Sequence, residues 1–284
     1  MLEVPTSIPK DFLGINSNGV QIIYRASEGS EDEDEALASS TLLLYHKSMR
    51  RKAKNFILDL LYPKFCFNCG REGSYLCEDC KSTLEILQSH QKYIFKNLKD
   101  LYFALPYQKS LIKNLIQQFK YQPFIKELAR NLSSLIITHF QLLDNKPNFF
   151  YPVRDQRSSN GADYTLIPIP LEKKKLKWRG FNQAEEIGKE LSKFLKISLL
   201  NNVLAKIKET PPQVELSDEE RKENIKGAFA VRNEELIKNK KILLVDDVYT
   251  TGSTMEECAR VLKRPTEGGY PGAKEIIGIV VARG

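Results

Sequence analysis

The stretch KILLVDDVYTTGST, residues 241–254, constrains the fold of this 284-residue chain more than any other. Ile242 to Val245 are four consecutive apolar residues, the pattern of a strand that is buried on both faces. Asp246 and Asp247 follow directly, and the hydroxyl-rich loop Thr250 to Thr254 precedes an expected helix. A buried strand that leads through such a loop into a helix is typical of an α/β domain, whose ligands bind at the carboxyl ends of its strands.

The acids and the loop together favour a ligand that carries both hydroxyl groups and a phosphate. The free N–H groups at the start of a helix attract an anion, whereas a carboxylate beside a phosphate would repel it. The acids are therefore expected to accept hydrogen bonds from sugar hydroxyls. We predict a 5-phosphoribosyl group, with its 2′- and 3′-hydroxyls at Asp246 and Asp247 and its 5′-phosphate at Thr250, Thr251, Gly252, Ser253 and Thr254. The alternative is a capped turn with solvated acids.

Strand-like and helix-like segments alternate from about residue 100. YFALPY precedes the helical SLIKNLIQQFK, a longer helix is expected from Phe124 to Leu143, and YTLIPIP resembles a strand. The next helix, NQAEEIGKELSKFL, has apolar residues at helical spacing. This order predicts an α/β fold with a mainly parallel sheet flanked by helices. The acids and the TTGST loop also resemble the PRPP-binding motif of type I phosphoribosyltransferases, which implies the fold of that family.

Four cysteines form two CxxC pairs separated by seven residues: Cys66, Cys69, Cys77 and Cys80. Four thiolates at this spacing can close tetrahedrally around Zn²⁺, and a closed four-cysteine site is structural because it has no open coordination position. Redox or disulfide chemistry and unliganded thiols are the alternatives. Cys258 stands apart, in the helix after the phosphate loop, and is expected to be a small core residue.

A basic stretch follows the predicted strand 164–169. Pro168 and Ile169 end that strand, and LEKKKLKWRG then contains four lysines, Trp178 and Arg179. A phosphoribosyltransferase must stabilise departing pyrophosphate, for which Mg²⁺ and a mobile basic loop are suitable. We expect Pro168, Ile169, Lys177 and Arg179 on the pyrophosphate side, and Asp246, Asp247, Lys177 and Arg179 as candidate catalytic residues. A solvated charge run and a contact to single-stranded nucleic acid remain as alternatives.

The order of these motifs resembles that of the ComF family of competence-associated, phosphoribosyltransferase-like proteins. The resemblance covers about residues 55 to 284, and two further segments carry it. The first is RGFNQ, at Arg179, Gly180, Phe181, Asn182 and Gln183. The second holds Gln213, Leu216, Arg221 and Asn224. Apart from the pyrophosphate role expected for Arg179, the sequence assigns no chemical role to either segment, and for Arg221 and Asn224 a structural and a catalytic role both stay open. The first fifty residues and the long connection KRPTEGGYPGAKE depart from the family pattern.

The resemblance implies two classes of function. One is transfer of a 5-phosphoribosyl group from Mg–PRPP to an unidentified acceptor, expected to be a nitrogenous base, with release of pyrophosphate, as in nucleotide metabolism. The other is a non-catalytic PRPP-binding or single-stranded-DNA-binding adaptor in DNA uptake and natural transformation, with a competence helicase as a potential partner. Both are compatible with a homodimer.

Composition sets the remaining expectations. The formal net charge of +7 suits anionic partners. No apolar run approaches the roughly 18 residues of a membrane span, and the first residues lack the pattern of a signal peptide, so we expect a cytoplasmic protein without membrane insertion. The expected domains are a flexible extension with an acidic run (1–52), a helix with a zinc-ribbon-like module (53–90) and a phosphoribosyltransferase-like domain (91–284).

Overall fold

The computed structural model describes residues 11–15, 21–25, 60–150, 164–208, 218–265, 269 and 271–284. The chain divides into two compact units, Met1–Pro63 and Lys64–Gly284. In the first unit, strands β1 (Asp11–Ile15) and β2 (Gln21–Arg25) pair in antiparallel register. Most of the predicted 1–52 extension, including its acidic run, lies outside the described residues, as do Gln213 and Leu216.

In the described part of the second unit, strands alternate with helices along the chain. The helices are α1 (Glu78–Ser82), α2 (Ser110–Lys120), α3 (Leu128–Leu142), α4 (Lys173–Arg179), α5 (Gln183–Leu195), α6 (Asp218–Ile225) and α7 (Ser253–Lys263). The strands are β3 (Asp100–Pro106), β4 (Tyr164–Pro168), β5 (Leu204–Lys206), β6 (Phe229–Val231), β7 (Lys241–Val245), β8 (Val248–Tyr249) and β9 (Glu275–Arg283).

The central sheet is parallel, as the sequence predicts. Its strands lie in the order β3, β9, β7, β4, and the short β8 also pairs with β9. A second, two-stranded sheet of β5 and β6 is antiparallel, and the sequence pattern did not predict it. Because neighbouring strands run in the same direction, their carboxyl ends meet at one edge of the sheet.

The central sheet is covered on both faces. Successive residues of a strand point in opposite directions, so the residues of β7 divide between the two covering layers. Leu243 and Val245 belong to the buried cluster that includes helices α2, α3 and α5. Ile242 and Leu244 belong to the opposite cluster, with α7 and the β5–β6 pair. In α5 the predicted apolar face is buried, at Ala184, Ile187, Leu191 and Leu195. Cys258 in α7 is fully buried, as expected of a core residue.

The cysteine segment shares a core with the α/β domain. Cys66, Leu76 and Cys80 belong to the buried cluster that includes α2 and α3. The Asn131 side-chain amide in α3 donates to the Leu76 carbonyl at 3.4 Å. The four cysteines are therefore docked on the domain that carries the sheet.

Two local predictions differ from the structure. The helix expected from Phe124 begins only at Leu128, because Phe124 has a φ of 56°, which a right-handed helix does not accommodate. The basic stretch expected as a mobile loop forms helix α4, which Gly180 ends in the left-handed conformation (φ 78°). Among the described residues, none of the helices has the length and apolar character that crossing a membrane requires.

Candidate active site

Two neighbouring strands deliver the first residues of the site. Pro168 at the end of β4 pairs with Val245 at the end of β7, so Ile169 and Asp246 leave the sheet side by side. The backbone N–H of Ile169 donates to the Val245 carbonyl at 2.9 Å. Asp246 Oδ1 accepts a 2.9 Å hydrogen bond from the backbone N–H of Asp247. Both acids are thus held at the carboxyl edge of the sheet.

The loop after the acids is shaped to bind an anion. Gly252 caps α7 in the left-handed conformation, with a φ of 76°. The hydroxyls of Thr251 and Ser253 lie 2.9 Å apart. A β-carbon at residue 252 would overlap the hydroxyl of Tyr249, so the loop requires glycine there. The first N–H groups of the following helix have no intrahelical acceptor, which makes this turn a suitable phosphate cradle.

The acid pair has a cationic partner that the sequence did not reveal. The ammonium group of Lys120, the last residue of α2, lies 2.8 Å from Asp247 Oδ1. Asp247 is only 4% exposed. Burial acts to lower the pKa of Lys120, but the charges of Asp247 and Asp246 more than offset it and raise that pKa. Burial and the Asp247 charge raise the pKa of Asp246 to about 7, against the opposing effect of Lys120.

This raised pKa predicts how the stability of the ligand-free protein depends on pH. The ordinary pKa of the Asp246 carboxyl is 3.8 and its folded-state pKa is about 7, so between these values the folded state holds a proton that the unfolded state has released. We therefore expect the contribution of Asp246 to the free energy of unfolding to fall as pH rises from about 4 to about 7, by at most about 1.4 kcal/mol per pH unit. Urea unfolding across this range should show a shallower fall for Asp246→Asn. Equal slopes in the two proteins would contradict the expectation.

The acids and the loop line one cleft of about 530 Å³. Of the residues predicted from the sequence, Ile169, Arg179, Asp246, Asp247 and the whole 250–254 loop line this cleft. Pro168 and Lys177 do not line it, whereas Lys175 does. The reason is helical geometry: in α4, residues 175 and 179 are four apart and share a face, while residue 177 points away and is exposed. Lys177, expected on the pyrophosphate side, therefore does not face this cleft, whereas Lys175 does.

A largely buried charge cluster near α4 was not predicted from the sequence. Lys206 in β5 and Glu172 both line the cleft, and their side chains are 10% and 12% exposed. Glu172 Oε2 lies 3.8 Å from the Lys206 ammonium and 4.0 Å from that of Lys175. Burial, followed by the Lys175 charge, lowers the pKa of Lys206. Glu172 therefore sits between two cationic groups inside the cleft.

The sequence pattern of α2 indicates that Lys120 lies on the inward face of the helix, but not which residue it pairs with. Ile112 and Ile116 are fully buried on α2, and Lys120 continues their four-residue spacing. A lysine at the end of an apolar stripe lies on the face that meets the rest of the fold. By contrast, the residues around Glu172 and Lys206 show no such periodicity.

The four cysteines come together as the spacing predicts. Their sulfur atoms all lie within 4.8 Å of one another, and Cys69 Sγ is 3.6 Å from Cys77 Sγ. Zinc–sulfur bonds of about 2.3 Å in a tetrahedron place the sulfurs roughly 3.8 Å apart, so the cluster fits a zinc ion. Cys77 also caps helix α1, where the N–H of Cys80 donates to its sulfur at 3.5 Å.

Hydrogen bonds to the sulfur atoms favour the thiolate form of Cys66 but not of Cys80. Asn68 Nδ2 donates to Cys80 Sγ at 3.3 Å and acts to lower the pKa of Cys80, but burial and hydrogen bonds with the other three cysteines outweigh it and raise that pKa. Burial acts to raise the pKa of Cys66, but backbone hydrogen bonds from Cys77, Cys69 and Asn68 outweigh it and lower that pKa to about 6. Thiolates are the form that binds metal.

Comparison with known proteins agrees with this geometry. Residues 180–281 match the family model described as "Phosphoribosyl transferase domain". Over 120 residues (40% of this chain and 52% of the relative) the chain is 36% identical to "Competence protein F" of Haemophilus influenzae. Over 99 residues (35% of this chain and 43% of the relative) it is 36% identical to "DNA utilization protein YhgH" of Shigella flexneri.

The Escherichia coli K12 protein of the same name is 35% identical over 99 residues, again 35% of this chain and 43% of the relative. The chain thus matches about half the length of these relatives. The matched region contains Asp246 and Asp247, the loop from Thr250 to Thr254, and strand β7, which precedes them at the edge of the sheet. Together with the four-cysteine cluster that precedes it, this makes the chain similar to these competence and DNA-utilization proteins over a region that matches a phosphoribosyltransferase domain.

Proposed function

We propose that this protein binds Mg–PRPP and transfers its 5-phosphoribosyl group to a nitrogenous base, with release of pyrophosphate. The observation that carries the proposal is that the carboxylates of Asp246 and Asp247 and the N-terminal turn of α7 line one cleft. A sugar phosphate with free hydroxyls requires carboxylates that accept hydrogen bonds from the hydroxyls and, beside them, an anion-binding turn for the phosphate.

Different residues bind different parts of the ligand. The loop from Thr250 to Thr254 binds the 5′-phosphate, and Asp246 and Asp247 accept from the ribose hydroxyls. In the transfer, the bond between C1 and the pyrophosphate oxygen breaks and its electron pair leaves with pyrophosphate, while the base nitrogen forms a bond to C1 and loses its proton to solvent. Lys175 and Arg179, on the cleft face of α4, stabilise the departing charge.

Magnesium would be bound together with PRPP. It prefers carboxylate and phosphate oxygens, and Asp246 and Asp247 supply carboxylates at this edge of the cleft. When bound, the ion would neutralise part of the pyrophosphate charge.

Release of pyrophosphate that depends on an added base tests the proposal. Screening purines, pyrimidines and their ring precursors with Mg–PRPP should identify at least one base that the wild-type protein consumes. Asp247→Asn should lose this activity, and Asp144→Asn, which alters an exposed acid outside the cleft, should keep it. Absence of turnover with every base, in a protein that binds PRPP, would exclude catalysis.

The alternative function is an adaptor that binds single-stranded DNA. It is favoured by the names of the relatives, which refer to competence and DNA utilization, and by helix α4. On this helix Trp178 is 55% exposed, and Lys173 and Lys177 are exposed. An aromatic ring among cations is the usual surface for stacked bases and a phosphate backbone.

Salt dependence tests the adaptor function. Each neutralised phosphate contributes about −0.7 to the slope of log affinity against log salt for single strands, so Lys173→Gln/Lys177→Gln should reduce the slope by about 1.4. The control, Lys113→Gln/Lys126→Gln, removes two exposed lysines outside α4 and should leave the slope unchanged. Equal slopes in all three proteins would exclude α4 as the interface.

The cysteine cluster is proposed to bind a structural Zn²⁺. Four sulfurs leave no position for a substrate, so the ion would hold residues 66–80 together and anchor them on the α/β domain. Metal analysis of the purified protein should give one zinc per chain.

A further inference from the structure

The RGFNQ segment, in which only Arg179 has a role predicted from the sequence, packs around the end of helix α2. The rings of Phe181 and Phe119 pack with their centroids 5.4 Å apart, and Gln183 Nε2 donates to the Phe119 carbonyl at 3.1 Å. The Arg179 guanidinium lies 5.5 Å from the centre of the Tyr121 ring. Arg179 also donates to Gln183 Oε1 at 3.1 Å. The segment thus holds the residues on both sides of position 120.

Lys120 lies between these two held residues and points to the acid pair. Its ammonium is 2.8 Å from Asp247 Oδ1, and the side chains are 26% and 6% exposed. The ion pair joins residues that are far apart in the sequence but lie at the same edge of the sheet. A carboxylate has about four lone-pair sites, so the bond to Lys120 leaves Asp247 able to accept from a ligand hydroxyl.

We propose that Lys120 is a positioning residue, which the RGFNQ segment holds in place so that it orients Asp247 for the ribose hydroxyls and offsets its repulsion with Asp246. The inference rests on the proposed PRPP site and goes beyond it, because it assigns a role to α2 and to RGFNQ. An unpaired carboxylate as buried as Asp247 would be costly, and a fixed partner holds it in one orientation before the ligand arrives.

Titration of Mg–PRPP into single variants is the first test. Lys120→Met should weaken binding by about 10- to 100-fold, the range of coupling in buried ion pairs. Lys120→Arg keeps the charge and should restore most of the affinity. The control Lys126→Met removes a surface lysine that pairs with Glu186 at 3.2 Å outside the cleft, and it should bind as the wild type does.

A double-mutant cycle distinguishes positioning from direct contact. If Lys120 acts through Asp247, Lys120→Met should change the affinity of an Asp247→Asn protein by less than about 3-fold. The double variant removes both members of the ion pair, so neither Lys120 nor Asp247 is left as an unpaired buried charge that could cause misfolding. Urea unfolding of each variant checks that it remains folded. Additive effects would mean that Lys120 binds the ligand directly, which overturns the positioning role.

The role of RGFNQ has its own readout. Gln183→Met keeps the length of the side chain but loses its bond to the Phe119 carbonyl. It should weaken PRPP binding in the wild-type background and have little further effect in the Lys120→Met background. An equal loss in both backgrounds would refute the link from Gln183 to Lys120.

These results also separate the inference from the proposed function. Wild-type affinity in Lys120→Met, together with weakened binding in Asp247→Asn, would overturn the role of Lys120 and leave the PRPP site standing. No binding of Mg–PRPP by the folded wild-type protein would overturn the proposed function and this inference with it.

Discussion

Removal of the metal from the four-cysteine cluster is expected to lower the midpoint of thermal unfolding by about 8–16 °C. A ligand that binds only the folded state contributes about 4 kcal/mol when its free concentration is a thousand times its Kd. The effect should reach the α/β domain, because the cysteines share a buried cluster with α2 and α3. Calorimetry with and without a zinc chelator measures the shift.

Cysteine variants provide the controls for this result. Cys80→Ser should unfold at the lower temperature with or without chelator. Cys258→Ser alters a buried cysteine of α7 outside the cluster, and it should keep both the zinc and the chelator-dependent shift. A structural zinc site would be contradicted if the purified wild-type protein contained no metal and its unfolding temperature did not change on addition of the chelator.

The second large effect is expected at the phosphate loop. Gly252→Ala should weaken Mg–PRPP binding by about 100-fold or more, the loss of two charge-assisted hydrogen bonds of about 1.5–3 kcal/mol each. Gly252 has a φ of 76°, and a β-carbon there would overlap the Tyr249 hydroxyl. The loop must therefore shift, and its N–H groups would no longer point to one phosphate.

Gly227→Ala is a matched control for that variant. Gly227 also has a positive φ, of 68°, but a β-carbon there would meet no atom within 4 Å. In both variants an alanine must adopt the left-handed conformation, which costs about 1–2 kcal/mol, so both should be less stable than the wild type. Only Gly252→Ala should lose affinity for Mg–PRPP. Equal affinity of the two variants would show that the loop does not cradle the phosphate.

The parts of the fold set by local sequence were predictable. Four apolar residues before Asp246 indicated a strand buried on both faces, and β7 lies between two parallel neighbours. The glycine and hydroxyls of the following loop indicated the start of α7, which begins at Ser253. The spacing of the cysteines predicted their cluster. In each case the determinants lie within a few residues of one another.

The parts that depend on distant contacts were not predictable. The pairing of Lys120 with Asp247 follows from the meeting of α2 with the end of β7, and no local pattern encodes that meeting. The basic stretch was expected as a mobile loop because departing pyrophosphate needs cations that can close over it. It is a helix, one face of which brings Lys175 and Arg179 into the cleft and leaves Lys177 outside. Charge alone does not indicate which lysines face a ligand.

Calorimetric titration of Mg–PRPP into the folded, metal-loaded protein tests the central claim most directly, with Asp246→Asn/Asp247→Asn as the comparison. The ribose-phosphate site predicts saturable binding at one site per chain, which the double variant loses while it remains folded. Absence of saturable binding to the wild-type protein, or equal binding to the double variant, would contradict the claim.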